Sequence, residues 1–350
     1  MSDLRFDRTY EEAALHSPLT GGALDTHRIE VRRDPLTGAR SIYSPRLEDK
    51  MFIGPHDAAL LERYAARTAE RCFLCGDRWQ QATPRYPTDL LPEGRLRVGE
   101  ALLFPNLFPI DAVHAVVRVT ERHHVRLDEL TAPLLRDALA AAAAFVRRLG
   151  EARPVRYVTV DGNYLFPAGA SIAHPHIQVL GGATPCTWLD RALTLGRRWA
   201  QQHGACYWTE LLAEEGRRGE RLIGATGPVS WMAAFSPQGT NEVIGLLPER
   251  RALDELDEAD VAGLAAGLAH VLAAYHDLGL ATFNFALFSG PIGGPIGEHD
   301  DTFRCQLRVI SRQTVHENYR TDDYFLQRLL GDELILTTPE ALAAKVRTRL

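Results

Sequence analysis

The sequence is poor in lysine, in cysteine and in long apolar runs. Of its 39 basic residues only Lys50 and Lys345 are lysines, and the abundance of alanine indicates a compositional bias rather than arginine chemistry. The longest apolar run, residues 138–146, is too short to span a membrane. The first residues, MSDLRFDRTYEEA, carry charges where a signal peptide needs an apolar segment. These absences predict a cytoplasmic protein without a membrane-spanning segment.

A basic excess is also missing. The net charge of −6 argues against broad binding to nucleic acid, which needs a basic surface, but it allows a small phosphorylated substrate held by a few arginines. Five cysteines, an odd number, argue against a disulfide framework. What remains is an ordinary globular composition, 45% hydrophobic, in a chain of 350 residues that is long enough for two domains.

Two segments of the sequence follow the same order of strand, turn, helix, strand, loop and strand. The first begins HAVVRVTERHHVRLDEL and ends HPHIQVL, and the second begins NEVIGLLPERRALDEL and ends RCQLRVI. The shared LDEL and the similar spacing predict an α+β fold of two tandem halves, which we place at residues 1–186 and 187–350. In this alignment Arg304 and Gln306 stand where His174 and His176 stand. The fold therefore does not require the histidines, and the first half carries the chemistry.

The stretch SIAHPHIQVL contains more polar side chains than a core strand needs. Because a residue before proline is biased towards extended conformations, His174 is expected to be extended. Alternate side chains of a strand share a face, which would place His174, His176 and Gln178 in one row and turn Ile177 and Val179 to the core.

Cys72 and Cys75 form a CFLC motif followed by polar residues that read as a loop. This context favours half of a zinc site over a redox pair, and two histidines would complete a tetrahedral Cys₂His₂ set. His174 is one candidate, and the sequence leaves the other open between His123, which we prefer, and His124. Nine further histidines lack such neighbours and are interpreted as surface or packing residues: His16, His27, His56, His114, His203, His270, His276, His299 and His316.

Several of these motifs together resemble the galactose-1-phosphate uridylyltransferase family of the histidine triad superfamily. They are CFLC, the HH pair after a strand, GNYLFPAGASIAHPHIQ, RRDPLTG with YSPR, and SWMAAFSPQGTNEVIGLLP, and their order fits along nearly the whole chain. The resemblance implies two histidine-triad-like halves, each an antiparallel sheet with packed helices, in a protein that is expected to form a homodimer.

The resemblance also implies site residues and an activity, the transfer of a nucleoside monophosphate from a nucleotide sugar to a phosphorylated acceptor. Position by position, it makes Cys72, Cys75, His123 and His174 zinc ligands, His176 the nucleophile, and Gln178 its neighbour on the transferred phosphate. It places Asn163, Gly169 and Ser171 at the phosphates, Asn106 near the nucleotide, and Arg46 near arginines that reach the active site of a partner subunit.

Departures from the family pattern bear on the substrate. Ile177 replaces a glycine between the second histidine and the glutamine, Leu107 replaces an acidic residue, and Arg304 and Gln306 stand where some members bind a second metal. These changes leave the base, the sugar and the acceptor open. A phosphorylase or hydrolase acting on nucleotide sugars or dinucleotides is one alternative, and a non-catalytic zinc-stabilised nucleotide-binding protein is another. A catalytic metal held by His174 and His176 would leave both cysteines of the motif unexplained.

The chemistry expected of His176 needs no separate base. An imidazole with an ordinary pKa is mostly neutral at pH 7, so one ring nitrogen can attack phosphorus if the other is held by an acceptor. We predict that this acceptor is a backbone carbonyl near His174 and Pro175.

Overall fold

The structure is a computed structural model that describes residues 4–50, 56–152, 154–293, 301–317 and 321–350. Its strands are β1 (Arg8–His16), β2 (Leu24–Arg33), β3 (Arg40–Tyr43), β4 (Leu96–Val98), β5 (Ala101–Pro105), β6 (Val113–Arg118), β7 (Tyr157–Tyr164), β8 (His176–Gly182), β9 (Leu222–Thr226), β10 (Val229–Ala233), β11 (Val243–Leu246), β12 (Phe283–Phe288), β13 (Gln306–Ser311) and β14 (Asp332–Ile335). Its α-helices are α1 (Pro45–Lys50), α2 (Ala58–Ala69), α3 (Trp79–Ala82), α4 (Ala132–Ala152), α5 (Thr187–His203), α6 (Tyr207–Arg218), α7 (Glu258–Asp277) and α8 (Pro339–Arg347). These elements confirm the predicted α+β fold.

One large antiparallel sheet runs through both halves in the order β4-β5-β6-β8-β7-β12-β13-β11-β10-β9. The order is the same from either edge, because β4, β5, β6, β8 and β7 correspond in turn to β9, β10, β11, β13 and β12. The sequence predicted a sheet for each half, and the structure joins the two sheets where β7 pairs with β12, from Phe283↔Tyr164 to Phe288↔Thr159. Joining the sheets gives both strands hydrogen-bond partners that they would lack as exposed edges.

The strand pairing also tests the alignment of the two repeats. The backbone N–H of Val119 donates to the carbonyl of Pro175, and the N–H of Leu247 donates to the carbonyl of Cys305 in the same place. Gln306 therefore occupies the position of His176, two residues after Arg304, as the sequence alignment predicts. We propose that residues 1–186 and 187–350 are the two units of a duplication.

Helices α4 and α7 pack against each other and against one face of the large sheet. The burial of β7 alternates strictly, so that Val158 and Val160 face these helices while Asp161 and Asn163 lie on the opposite face. Because side chains alternate along a strand, this opposite face carries Asn163, which the sequence analysis assigned to the candidate site. No helix in the described part of the chain combines the length and the apolar character that crossing a bilayer requires.

A smaller sheet, β1-β2-β3-β14, attaches the start of the chain to the second half. Its strand β3 runs parallel to β14, and the guanidinium of buried Arg32 forms a two-bonded pair with the carboxylate of Glu340 at 2.8 and 2.9 Å. Strand β1 is exposed along its whole length. The N-terminal strands are thus held by a long-range contact that the sequence pattern did not indicate.

Candidate active site and metal centre

Cys72, Cys75, His123 and His174 come together from three separate segments. The two cysteines lie in the turn after α2, where the N–H of Cys75 donates to the carbonyl of Cys72, while His123 follows β6 and His174 precedes β8. One ligand atom from each residue lies within 4.8 Å of all the others. The four residues form a cluster that could hold a metal ion.

The spacing of this cluster fits a tetrahedral ion. Nδ1 of His174 lies 3.5 Å from each sulfur, and Nδ1 of His123 lies 3.3 Å from Sγ of Cys75. Bond lengths of 2.0–2.3 Å around a tetrahedral zinc would separate its ligands by about 3.3–3.8 Å. The other ring nitrogen of each histidine forms a hydrogen bond to a residue outside the cluster. His174 Nε2 bonds to the carbonyl of Thr120 at 2.8 Å, and His123 Nε2 bonds to Oγ1 of Thr68 at 3.0 Å. Such outer partners orient imidazole ligands.

The electrostatics of the cluster also favour a cation. Burial lowers the pKa of His174 to about 4, so that its imidazole is neutral and can act as a ligand. Burial, and next the charge of Cys72, raise the pKa of the Cys75 thiol to about 11. Two adjacent thiolates, one buried and one half-buried, are therefore unfavourable without a positive partner, and a bound metal would supply it.

His123, not His124, belongs to the cluster. The ring of His124 is stacked on Tyr164, with 6.3 Å between the ring centres and 15° between the planes. The sequence could not choose between the neighbours because both follow the same strand.

A cavity of about 460 Å³ lies beside the cluster, on the open face of the large sheet. It brings together His176, Gln178, Asn106, Asn163, Gly169 and Ser171, six residues that the resemblance assigned to one site, with Phe73, Ala82, Pro84, Phe104, Leu107, Phe108, Val116, Ala170 and Ile172. The walls are largely apolar and aromatic, with a small number of polar groups among them. This composition is typical of a site for a small organic ligand.

Within this cavity His176 is held in one orientation. Its Nδ1 lies 2.8 Å from the carbonyl oxygen of His174, as predicted, and must carry the proton because a carbonyl only accepts. Burial lowers the pKa of His176, so the ring is neutral and Nε2 keeps its lone pair. Strand β8 begins at His176 because Pro175 lacks an N–H for the ladder. A neutral imidazole held in this way has one ring nitrogen with a lone pair, which nucleophilic attack requires.

The strand positions agree with the predicted alternation. Ile177 and Val179 are buried in the core, whereas His176 and Gln178 line the cavity. His174 departs from the predicted row, since it lies before the strand and is fully buried in the metal cluster. Gly169 ends a single 3₁₀ turn with φ of 86°, a left-handed conformation that glycine adopts without strain and that keeps the backbone open to the cavity.

Arg46 does not lie at the cavity. Its guanidinium forms a two-bonded pair with the carboxylate of Asp25, at 2.5 and 2.7 Å. The role that the resemblance implied for Arg46 concerns a partner subunit.

His114, interpreted from the sequence as a surface or packing residue, is buried and contacts two residues of the cavity. Its Nε2 lies 2.6 Å from Oε1 of Gln178 and 3.1 Å from Nδ2 of Asn106, so the ring joins two residues of the cavity. The signal that could have revealed it is the strand alternation, because His114 faces the same side of β6 as Val116. His299 lies outside the described residues.

The equivalent surface of the second half is packed rather than open. Arg308, at the position of Gln178, is bound to Glu242 at 2.6 Å and lies under the ring of Trp188, 5.0 Å from its centre. Gln306 is fully buried. Helix α5, which carries Trp188, fills the place that the ligand cavity has in the first half.

No family model matches the chain. An uncharacterised protein of Archaeoglobus fulgidus is 31% identical over 338 residues, which cover 96% of this chain and 97% of that protein.

Among solved structures, an ADP-glucose phosphorylase from Arabidopsis thaliana with bound ADP-glucose matches with a TM-score of 0.70 at 17% identity, over 91% of this chain and 98% of that one. A galactose-1-phosphate uridylyltransferase-like protein of the same plant matches with a TM-score of 0.68 at 16% identity, over 91% of this chain and 99% of that one. A uridylyltransferase matches with a TM-score of 0.65 at 19% identity, over 91% of this chain and 97% of that one. The chain therefore belongs to one family with the Archaeoglobus fulgidus protein, and its fold is that of the ADP-glucose phosphorylase and the uridylyltransferase.

Proposed function

We propose that this protein is a nucleotidyltransferase that takes a nucleoside monophosphate from a nucleotide sugar through a covalent intermediate on His176. The observation that carries the proposal is the hydrogen bond from His176 Nδ1 to the carbonyl of His174, which leaves Nε2 free beside Gln178 in the cavity. Similarity of fold to a protein with bound ADP-glucose supports the choice of a nucleotide sugar.

In the first step, Nε2 of His176 forms a bond to the α-phosphorus of the donor. The bond between that phosphorus and the oxygen of the departing sugar 1-phosphate breaks, and the electron pair leaves with the oxygen. The ring then carries a positive charge, which the carbonyl of His174 stabilises through the proton on Nδ1. The amide of Gln178 is placed to donate to a non-bridging oxygen as charge develops there.

In the second step, an oxygen of the acceptor attacks the same phosphorus and the bond to Nε2 breaks, which restores the neutral imidazole. A sugar 1-phosphate as acceptor gives a new nucleotide sugar. Inorganic phosphate gives a nucleoside diphosphate, and this second candidate is favoured by the similarity to ADP-glucose phosphorylase. Water would make the protein a hydrolase. The histidine chemistry is the same in all three reactions.

The apolar part of the cavity is suited to the base of the nucleotide. Phe73, Phe104 and Phe108 line it, and Phe108 lies at the rim with 78% of its surface exposed. Aromatic side chains bind the flat faces of a base by stacking and accept more than one base. The asparagine and glutamine side chains then lie on the phosphate side of the cavity.

We also propose that zinc is the ion of the metal centre. Two thiolates and two neutral imidazoles in a tetrahedral set are typical of structural zinc. When bound, the ion would supply structural support at His174, next to the nucleophile. Cys72, Cys75, His123 and His174 would hold it, and these four protein ligands would complete a closed tetrahedral set.

Arg46 enters the proposal through a second copy of the chain. We propose a homodimer in which Arg46 serves the cavity of the other subunit, as the family resemblance implies. Mixing Arg46→Ala chains with His176→Ala chains tests this idea, because mixed dimers would then combine one intact Arg46 with one intact His176 and regain activity. No regain in mixed dimers would reject the exchange.

The central experiment follows the α-phosphate. Purified protein is incubated with ADP-glucose, UDP-glucose, ADP-galactose or UDP-galactose, or a diadenosine polyphosphate, each labelled at the α-phosphate, and is then denatured. Label on the protein that is lost in acid and stable in base indicates a phosphoramidate. Addition of glucose 1-phosphate or inorganic phosphate should discharge it and reveal the acceptor. If nucleotides bind but none of the donors labels the protein, it is a binding protein instead.

A further inference from the structure

The side-chain amides of Gln178 and Asn163 each form a hydrogen bond to a residue that does not line the cavity. Oε1 of Gln178 lies 2.6 Å from Nε2 of His114, and Oδ1 of Asn163 lies 2.7 Å from Nδ2 of Asn284. A carboxamide has an accepting and a donating end. Which end faces the ligand therefore depends on these partners.

The hydrogen bonds of His114 determine its tautomer. The backbone N–H of Ile110 donates to its Nδ1 at 3.4 Å, so this nitrogen accepts and carries no proton. The proton then lies on Nε2, which donates to Oε1 of Gln178 at 2.6 Å. The NH₂ group of Asn106, 3.1 Å from the same nitrogen, is itself a donor and contacts the ring there without a hydrogen bond. With its oxygen engaged by His114, Gln178 turns its NH₂ group away from that ring. The ring itself is buried, with 6% of its surface exposed.

Asn284 is oriented in the same manner by a charged neighbour. Nη1 of Arg312 donates to Oδ1 of Asn284 at 2.6 Å, which identifies the other end of this amide as its donor. That donor contacts Oδ1 of Asn163 and also the carbonyl of Ala168, at 2.9 Å, in the loop that forms the cavity edge. Asn163 therefore accepts through its oxygen, and its NH₂ group is left for the cavity.

The second half provides an internal comparison. His114 and Gln178 correspond in strand register to Glu242 and Arg308, which form an ion pair at 2.6 Å. The fold thus has a bonded pair at these two positions in both halves. In the first half the pair is a histidine and an amide, and only this version leaves an amide NH₂ group unengaged by its partner.

We propose that His114 and Asn284 are positioning residues that turn the NH₂ groups of Gln178 and Asn163 towards a phosphate of the bound nucleotide. This inference rests on the proposed function for the identity of the ligand. It gives the second half a part in the site, because Asn284 lies on β12 and Arg312 follows β13. These partners fix the orientation of both amides before the ligand binds. A rotated amide would present its oxygen to the phosphate and could not donate a hydrogen bond to it.

The direct test observes the two NH₂ groups by nitrogen-15 NMR, with Gln178→Ala and Asn163→Ala used to assign their signals. AMP and UMP are the probes. In the wild type, at least one of them should shift both signals. His114→Leu should abolish the response of Gln178 alone, and Asn284→Ala that of Asn163 alone. If neither nucleotide shifts either signal, or both variants respond as the wild type does, the inference is wrong.

A kinetic test separates positioning from support of the fold. His114→Leu should slow labelling by the donor about 10- to 100-fold, the effect of one lost hydrogen bond to a reacting group. It should cost nothing further in a Gln178→Ala background, because it acts through that residue. His114→Gln, which can still donate, should restore most of the rate. Equal losses in both backgrounds would contradict the inference.

Glu242→Gln is the matched control in the second half. It should lower thermal stability without slowing the labelling of folded protein. A wild type that binds AMP with the expected NH₂ shifts, yet is labelled by none of the donors, would reject the proposed function and leave the inference intact. If Glu242→Gln slows the labelling as much as His114→Leu does, His114 only supports the fold.

Discussion

The carbonyl oxygen of His174 lies 2.8 Å from Nδ1 of His176, while the ring of His174 directs its own Nδ1 to the two cysteine sulfurs at 3.5 Å. One residue thus belongs to the Cys/His cluster through its side chain and orients the ring of His176 through its backbone. Disturbance of the cluster is therefore expected to reach the reaction through this peptide, without any contact between metal and substrate.

Replacement of the nucleophile should abolish transfer and leave the fold intact. We expect His176→Ala to keep its metal and its thermal stability but to lose at least about 10⁴-fold in rate, a barrier change of about 5.5 kcal/mol. Steady-state plots of the wild type should be parallel, as for two-step transfer. Gln306→Ala, at the same position in the second half, is the control and should retain activity if it folds. Full labelling of His176→Ala would place the nucleophile elsewhere.

Loss of one thiol should cost the protein its metal. Metal analysis of the wild type should find about one zinc per chain, and Cys75→Ser should lose it and unfold at a lower temperature. Structural zinc sites have apparent binding energies of about 10–16 kcal/mol, enough to govern folding of the first half. Cys186→Ser, an exposed cysteine outside the cluster, should keep both metal and stability. A metal-free wild type of full stability would contradict this prediction.

Asp161 should make the stability of the protein fall as the pH rises. Burial raises the pKa of this carboxyl to about 6, above the value near 4 expected in the unfolded chain. Because the folded state holds the proton more tightly, the free energy of unfolding should decrease between about pH 4 and pH 6.

Asp161→Asn removes this ionisation. The variant should match the wild type below pH 4 and exceed it by about 1–3 kcal/mol above pH 6 in urea unfolding. Oγ1 of Thr159 can still donate to the new amide oxygen, as it does to the carboxylate at 2.6 Å. Asp190→Asn, at an exposed site, is the control. A difference that does not change with pH would show that Asp161 ionises normally.

Glu340 should be essential for docking the N-terminal strands. It bonds to Arg32 and Arg221, two guanidinium groups that are almost completely buried. Glu340→Ala should lower the free energy of unfolding by about 3–5 kcal/mol, because it leaves both charges without this partner. Glu340→Gln, which keeps an acceptor, should lose less. Unchanged urea unfolding of both variants would show that the network contributes nothing.

The same carboxylate has a predictable acid response. Burial raises the pKa of Glu340, but the hydrogen bond and the charge of Arg32 lower it by more, to about 2. Its stabilisation is therefore present above about pH 4.5 and is lost as the pH falls towards 2. The stability difference between wild type and Glu340→Ala should shrink over this range.

Much of the candidate site could be predicted from short stretches of sequence. The Cys-x-x-Cys spacing and the alternation around Pro175 are local, because they depend on turn and strand geometry over a few residues. The carbonyl partner of His176 was predictable for the same reason, since it belongs to the residue two positions earlier. The repeated LDEL segments indicated two halves, and strand register places Gln306 where the alignment predicts it.

Contacts between distant segments were decided only by the tertiary structure. It selects His123 over its neighbour His124, brings His114 to Gln178 across 64 residues, and brings Asn284 to Asn163 from the other half. It also joins the two sheets into one and pairs β14 with β3. The physical reason is that hydrophobic periodicity and turn chemistry specify which face of an element is buried, whereas the partner on that face depends on strand order and register. The sequence by itself thus determined the similarity of the two segments, the Cys-x-x-Cys motif and the carbonyl partner of His176, and packing determined which residues surround them.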